Sequence, residues 1–94
     1  MRENRYQAQL IKTLQEMFPG AIILKNDSEY LQGIPDLLIL YGDKWAALEV
    51  KASHNSEHQP NQEYYVSLMD LMSFAAFIYP ENEEAVLYDL QRAL

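Results

Sequence analysis

Hydrophobic residues recur with a helical period at the start of the chain and with a strand-like period in its middle. The first segment has an apolar residue at every third or fourth position: Tyr6, Leu10, Leu14, Met17 and Phe18. This spacing predicts an amphipathic helix over about residues 3–17, and Pro19 and Gly20 end it. A short β-type run, "AIILKN" (21–26), follows and leads into a polar loop.

Two longer apolar runs form the most hydrophobic segment of the chain. They cover residues 36–41 and 45–51, and the dipeptide Gly42-Asp43 separates them. Glycine followed by aspartate favours a two-residue hairpin turn between antiparallel strands. We therefore predict a β-hairpin over this segment.

The second half of the chain predicts one more helix and one or two strands. Pro60 suits the first position of a helix, and Glu63 in the first turn favours the helix dipole. "FAAFIY" (74–79) is typical of a strand. After an acidic turn, "AVLY" (85–88) predicts a further strand and "DLQRAL" (89–94) a short tail.

The resulting element order is α-β-β-β-α-β(-β), which predicts a mixed α/β fold with a central mixed sheet flanked by helices. The length of 94 residues predicts one domain over 1–94, and the 49% hydrophobic content is sufficient for a core. We expect no membrane span and no signal peptide, hence a cytoplasmic protein. The lack of cysteine excludes disulfides and cysteine-ligated zinc.

The net charge of −7 argues against nucleic-acid binding, because most nucleic-acid-binding domains are basic. The charge is unevenly distributed, however. Residues 1–51 have six basic residues against seven acidic ones, whereas residues 52–94 have Arg92 against seven acidic residues. A polyanion should therefore meet the N-terminal half, and a bound divalent cation would offset part of the local negative charge.

The hairpin brings two acidic residues together. If Gly42-Asp43 is a two-residue turn, Tyr41 pairs with Lys44. The same register places Asp36 directly opposite Glu49, with Cβ atoms about 5 Å apart. Lys51 projects from the same face. Like charges in this arrangement are destabilising, and a hard divalent cation with oxygen ligands would compensate them.

These residues resemble the Asp…Glu-x-Lys signature of the PD-(D/E)xK nuclease superfamily, and Pro35-Asp36 preserves its PD dipeptide. The sequence is more closely similar to the VRR-NUC branch of that superfamily over about residues 3–80. Four features in this order support the resemblance: Glu3 with Gln7, Gly33-Ile34-Pro35-Asp36, Glu49-Val50-Lys51, and Pro60 with Gln62.

The resemblance implies a restriction-endonuclease-like core and a site that binds Mg²⁺ or Mn²⁺. Asp36 and Glu49 would be direct ligands, with the Val50 backbone carbonyl as a third. Lys51 would orient the attacking water and stabilise charge on the phosphate. Gln62, at the start of the second helix, would position Lys51, the water or the phosphate.

Three further polar residues have two interpretations each. Glu3 lies two helical turns before Leu10 and so either binds the metal or is a favourable acid in the first turn of the helix. His54 and His58 lie four residues apart in a polar loop. Without cysteine or a His-Glu-x-x-His motif, we interpret them as solvated or phosphate-contacting residues rather than as zinc ligands.

The resemblance also implies a partner and an assembly. Small stand-alone members of this branch, typically from bacteriophages, resemble symmetric dimers that resolve four-way (Holliday) DNA junctions, a task that requires two symmetric cuts. Arg2, Arg5 and Lys25 are candidate phosphate contacts in the N-terminal half. Five apolar residues exceed what one helix and one strand need for a core and are candidates for a homodimer interface: Leu68, Leu71, Met72, Phe74 and Phe77.

Other functions fit the same residues. Within the enzyme class, a flap or single-strand endonuclease and a nicking endonuclease are alternatives. From a different class, a non-catalytic DNA- or protein-binding module that retains the nuclease fold would suit the net charge of −7. The complete set of Asp36, Glu49 and Lys51 favours the enzyme.

Overall fold

The structure is a computed structural model that describes residues 2–94. Over these residues the chain forms, in order, α1 (Glu3–Met17), β1 (Ile22–Lys25), β2 (Leu37–Tyr41), β3 (Lys44–Val50), α2 (Gln62–Met72), β4 (Phe74–Ile78) and α3 (Glu83–Ala93). The predicted first helix and the strands before residue 80 are confirmed to within two residues at each end. Within the described chain, no helix is both long and apolar enough to cross a membrane.

The strands form one mixed sheet in the order β1-β2-β3-β4. The pairs β1–β2 and β2–β3 are antiparallel, and the pair β3–β4 is parallel. The parallel pair requires a crossover, which α2 supplies by running back along the sheet between β3 and β4. The prediction of a mixed α/β fold with a central mixed sheet flanked by helices is therefore confirmed.

The larger apolar cluster lies on the sheet face that α1 and α3 cover. Alternate residues of β3, such as Leu48 and Val50, point into it and are fully buried. The helices contribute Tyr6, Leu10 and Leu14 from α1 and Val86 and Leu90 from α3. Each fully buried leucine or isoleucine contributes about 1.5–3 kcal/mol, so this cluster is the main source of stability.

α2 covers half of the opposite face. Val66 packs there on Ala47 and Ala75, with Met69, Trp45 and Phe77 partly buried around them. The β1–β2 half of this face is less covered. Ile22 and Leu24 point to the same side as their partners Leu40 and Leu38, and they are 56% and 43% exposed.

The prediction of a strand over 85–88 followed by a tail is wrong, because residues 83–93 form α3. Val86 and Leu90 lie four residues apart and are buried on one helix face. Acidic residues in the first turn and Arg92 in the last turn match the helix dipole. The run "AVLY" has β-type residues, but its tertiary packing selects the helix.

The start of the second helix also differs from the prediction. Pro60 is not its first residue, because Asn61 has a left-handed backbone conformation with φ of 70°. The helix therefore begins at Gln62, and Glu63 lies in its first turn as predicted. This shift makes Gln62 the first helical residue, at the end of the sheet that holds the charged residues.

Candidate metal site

The ends of β2 and β3 bring the predicted carboxylates together. The turn at Gly42-Asp43 pairs residues in the predicted register, and the ladder runs as far as Leu37 opposite Leu48. The next pair in this register is Asp36 and Glu49, on the face that α2 covers. The Val50 N–H donates to Asp36 Oδ2 at 2.8 Å, which holds Asp36 at the end of the hairpin.

Glu49 is a buried acid with an unsatisfied oxygen. Its side chain is 2% exposed, and within residues 2–94 no group donates a hydrogen bond to its Oε1. Burial raises the pKa of Glu49 to about 9, and a side-chain hydrogen bond to Asp36 and the Asp36 charge add to that increase. A buried carboxyl oxygen without a donor costs free energy, so the fold keeps Glu49 here at the expense of stability.

Lys51 and Gln62 form a hydrogen-bonded network beside this carboxyl. The Lys51 ammonium donates to Gln62 Oε1 at 2.7 Å and to the Glu57 carbonyl at 3.0 Å. The Gln62 amide in turn donates to Glu49 Oε2 at 3.1 Å, and Lys51 Nζ lies 4.0 Å from that oxygen. Lys51 is 5% exposed, so this network fixes a buried cation at the start of α2.

A close backbone contact positions the start of α2. Gly33 has φ of 91°, and a Cβ atom placed on it would lie 2.6 Å from the Asn61 Cβ and 2.8 Å from the Pro60 carbonyl oxygen. Only glycine allows this approach, which packs the β1–β2 loop against the turn before α2. The contact sets the position of Gln62, and apart from the glycine itself no sequence pattern indicates it.

One pocket of about 640 Å³ is lined by Gly33, Asp36, Glu49, Lys51 and Gln62. It is strongly acidic, since Glu3, Glu29 and Glu57 surround the two central carboxyls. Burial raises the pKa of Glu3, and the Asp36 charge raises it further, whereas Lys51 opposes the change. The Asp36 charge therefore acts on Glu3, which also lies in the first turn of α1. Both interpretations of Glu3 fit this position.

The pocket suits a hard divalent cation. Its donor set consists of oxygens, and the free Glu49 Oε1 beside Asp36 is a ligand position without another partner. The N–H of Val50 points toward Asp36, and because both polar groups of a strand residue point to one edge, its carbonyl lies on that side as well. Within residues 2–94, no group of three or more His, Cys, Asp or Glu side chains is close enough to hold an ion. Asp36 and Glu49 would therefore need the carbonyl and water to complete the shell, as is usual for Mg²⁺.

The predicted phosphate-binding residues lie outside the pocket lining. Arg2 and Arg5 are exposed at the start of α1, and Lys25 is exposed at the end of β1. His54 and His58 have separate partners. The His54 Nδ1 lies 2.8 Å from Glu81, whereas His58 bonds to Glu63 and stacks on Phe77.

Several residues at the site were not predicted from the sequence. The β1–β2 loop contributes Ser28, Glu29 and Gln32 to the pocket. The Gln59 N–H donates to Gln62 Oε1 at 2.8 Å and so helps to orient that amide. These are loop residues without a periodic signal, and their positions depend on tertiary contacts.

Comparison of this chain with family models, with curated proteins and with solved structures gave no match. The function is therefore inferred from the residues of the site.

Proposed function

We propose that this protein is a divalent-metal-dependent, structure-selective DNA endonuclease with the PD-(D/E)xK core of the VRR-NUC branch. One observation supports the proposal above all: a buried, donor-free Glu49 oxygen lies beside Asp36, with Lys51 fixed next to them. A structural carboxyl at this burial would have donors to both oxygens, whereas Glu49 accepts from Gln62 at Oε2 alone. A metal ligand would have a free oxygen until the ion binds.

The residues of the site have distinct roles in this proposal. Asp36, Glu49 and the Val50 carbonyl hold Mg²⁺ or Mn²⁺, with Glu3 as a further candidate. When bound, the ion polarises the scissile phosphate and lowers the pKa of a water molecule. Lys51 stabilises negative charge on the phosphate in the transition state. Hydrolysis leaves a 5′-phosphate and a 3′-hydroxyl.

Gln62 is a positioning residue. Its carbonyl oxygen accepts from Lys51, and its amide nitrogen donates to Glu49. One side chain therefore sets the distance between the Lys51 ammonium and the Glu49 carboxyl. The first turn of α2 also lies at the positive end of the helix dipole, which favours a nearby phosphate.

We propose further that the protein acts on four-way DNA junctions as a symmetric dimer, since two symmetric cuts require two identical sites. Only part of the predicted interface is exposed at the surface. Phe74 and Phe77 pack into the two core clusters, whereas Leu71 and Met72 are 87% and 66% exposed on α2, and Leu68 is 39% exposed. Exposed apolar side chains on one helix favour a second copy of this chain as the covering partner.

The dimer is tested by its mass in solution. Leu71→Glu places a charge in the proposed interface and should convert the dimer to a monomer in size-exclusion chromatography with light scattering. Gln15→Glu adds the same charge at an exposed position of α1, which covers the opposite face of the sheet, and should leave the dimer intact. A wild-type monomer, or a Leu71→Glu dimer, would exclude this interface.

The second candidate is a non-catalytic binding module. The net charge of −7 and the acidic rim of the pocket favour it, because both oppose the approach of a phosphate. In that case the Asp36–Glu49 pair would hold a structural cation without cleaving DNA.

A panel of labelled DNA substrates separates these functions. Junction, flap, nicked-duplex and single-strand DNA are incubated with the protein in Mg²⁺ and in EDTA. Paired symmetric cuts in the junction that require Mg²⁺ support the proposal, and cuts at flaps or in single strands would support the alternative nucleases. DNA binding without cleavage in Mg²⁺ and Mn²⁺ would support the binding module.

A further inference from the structure

Tyr30 is the most exposed of the large hydrophobic side chains that reach the surface of the described chain, at 89% exposure. It lies in the loop between β1 and β2, the same loop that supplies Ser28, Glu29 and Gln32 to the carboxylate pocket. Neither core cluster includes it. The fold gives no reason for a bare aromatic ring at this position.

Hydrogen bonds order the backbone of the loop around Tyr30. The Asp27 carboxylate accepts from the Glu29 N–H at 2.8 Å, and the Asp27 carbonyl accepts from the Tyr30 N–H at 3.2 Å. At the base of the loop, the Asn26 amide donates to the Pro35 carbonyl at 2.8 Å. An aromatic ring on a preordered loop loses little conformational entropy when a ligand stacks on it.

A second hollow, of about 430 Å³, lies beside the ring. It is lined by Asn26, Asp27, Tyr30, Leu31 and Ile34, and it shares Ile34 with the carboxylate pocket. Tyrosine, leucine and isoleucine present flat or apolar surfaces, whereas Asp27 and the neighbouring Glu29 repel phosphate. The hollow therefore suits an uncharged planar group next to the site of hydrolysis.

We propose that this hollow binds an unpaired nucleobase, which stacks on Tyr30 while the adjacent phosphate lies at the Asp36–Glu49 pair. A base in an intact duplex is already stacked on both faces and cannot enter. The substrate class is therefore DNA with an unpaired base beside duplex, as at a branch point, a bulge or a flap. This inference rests on the proposed function, because it takes DNA as the ligand.

The test measures binding to two labelled duplexes that differ in one unpaired 2-aminopurine, with Ca²⁺ in place of Mg²⁺. Wild-type protein should bind the duplex with the unpaired base more tightly and quench its fluorescence. Tyr30→Ala should weaken that binding roughly 5- to 100-fold, the range for loss of one base–aromatic stack. Tyr30→Phe retains the ring and should bind like wild type.

Tyr88→Ala is the matched control, since Tyr88 is a similarly exposed tyrosine, at 60%, on α3. It should bind both duplexes like wild type. Equal affinity of Tyr30→Ala and wild type for the unpaired base would overturn the inference, as would an equal loss in Tyr30→Phe or Tyr88→Ala. Base-dependent binding without cleavage in Mg²⁺ would overturn the proposed nuclease but leave this inference standing. If neither duplex binds, both are overturned.

Discussion

Replacing Glu49 by glutamine should make the protein more stable at neutral and alkaline pH when no divalent cation is present. Burial and the Asp36 charge raise the pKa of Glu49 from 4.5 to about 9. The folded state therefore retains a proton that the unfolded chain releases. Stabilisation from this proton is complete below pH 4.5 and is lost as the pH rises through about 9.

The magnitude follows from proton linkage. Between pH 5 and pH 8 the folded state binds one proton more than the unfolded state, so the free energy of unfolding falls by about 1.4 kcal/mol per pH unit. The limit for one proton over this range is roughly 4 kcal/mol. Glutamine has a similar shape and does not ionise, so Glu49→Gln should lack this component, and its advantage over wild type should grow with pH.

The assay is urea denaturation of both proteins in EDTA at four pH values from 5 to 8, at constant ionic strength. The linear extrapolation gives the free energy of unfolding at each pH. Glu16→Gln, at an exposed position of α1, is the matched control and should follow the wild-type pH dependence. Parallel curves for wild type and Glu49→Gln would refute the account of Glu49 as a strained, buried acid.

Three further predictions concern other residues. Lys51→Ala should lower the rate of DNA cleavage roughly 100- to 1,000-fold, as for removal of one transition-state donor, with nearly unchanged Mn²⁺ affinity by calorimetry; a large loss of Mn²⁺ affinity instead would contradict its role. Gly33→Ala should lower the free energy of unfolding in urea by roughly 1–3 kcal/mol because of strain at positive φ, and it should also lower the rate of cleavage. Gly20→Ala is the control, since Gly20 has φ of 88° but no neighbour within 4 Å. It should lower stability alone. Tyr6→Phe should leave stability unchanged or raise it by about 1 kcal/mol in urea, because the buried Tyr6 hydroxyl lies near Glu83 but makes no well-aligned hydrogen bond within residues 2–94. A clear loss of stability would show that this hydroxyl is bonded to Glu83.

The part of the site that depends on local geometry could be predicted from the sequence. Strand residues alternate with a period of two, and the Gly42-Asp43 turn fixes the register, so the juxtaposition of Asp36 and Glu49 follows by simple arithmetic. Lys51 follows from the same alternation. These residues needed no knowledge of the rest of the fold.

Features that depend on tertiary contacts could not be predicted in this way. The run "AVLY" fits a strand by composition, but Val86 and Leu90 are buried as one face of α3. The exact start of α2 depends on the approach of Gly33 to Asn61, two residues far apart in the sequence. The sequence places Tyr30 in a polar loop, but the position of its ring next to the carboxylate pocket depends on how the β1–β2 loop packs.

A calorimetric titration of Mn²⁺ into wild-type protein and into Glu49→Gln shows whether the two carboxyls at the end of the hairpin bind a metal ion. If Asp36 and Glu49 share a divalent cation, the wild type should bind one or more ions per chain saturably. Glu49→Gln retains the shape but cannot release a proton to become a carboxylate ligand, so it should lose that binding. Equal Mn²⁺ affinity in the two proteins would show that the pair of carboxyls at the end of the hairpin is not a metal site.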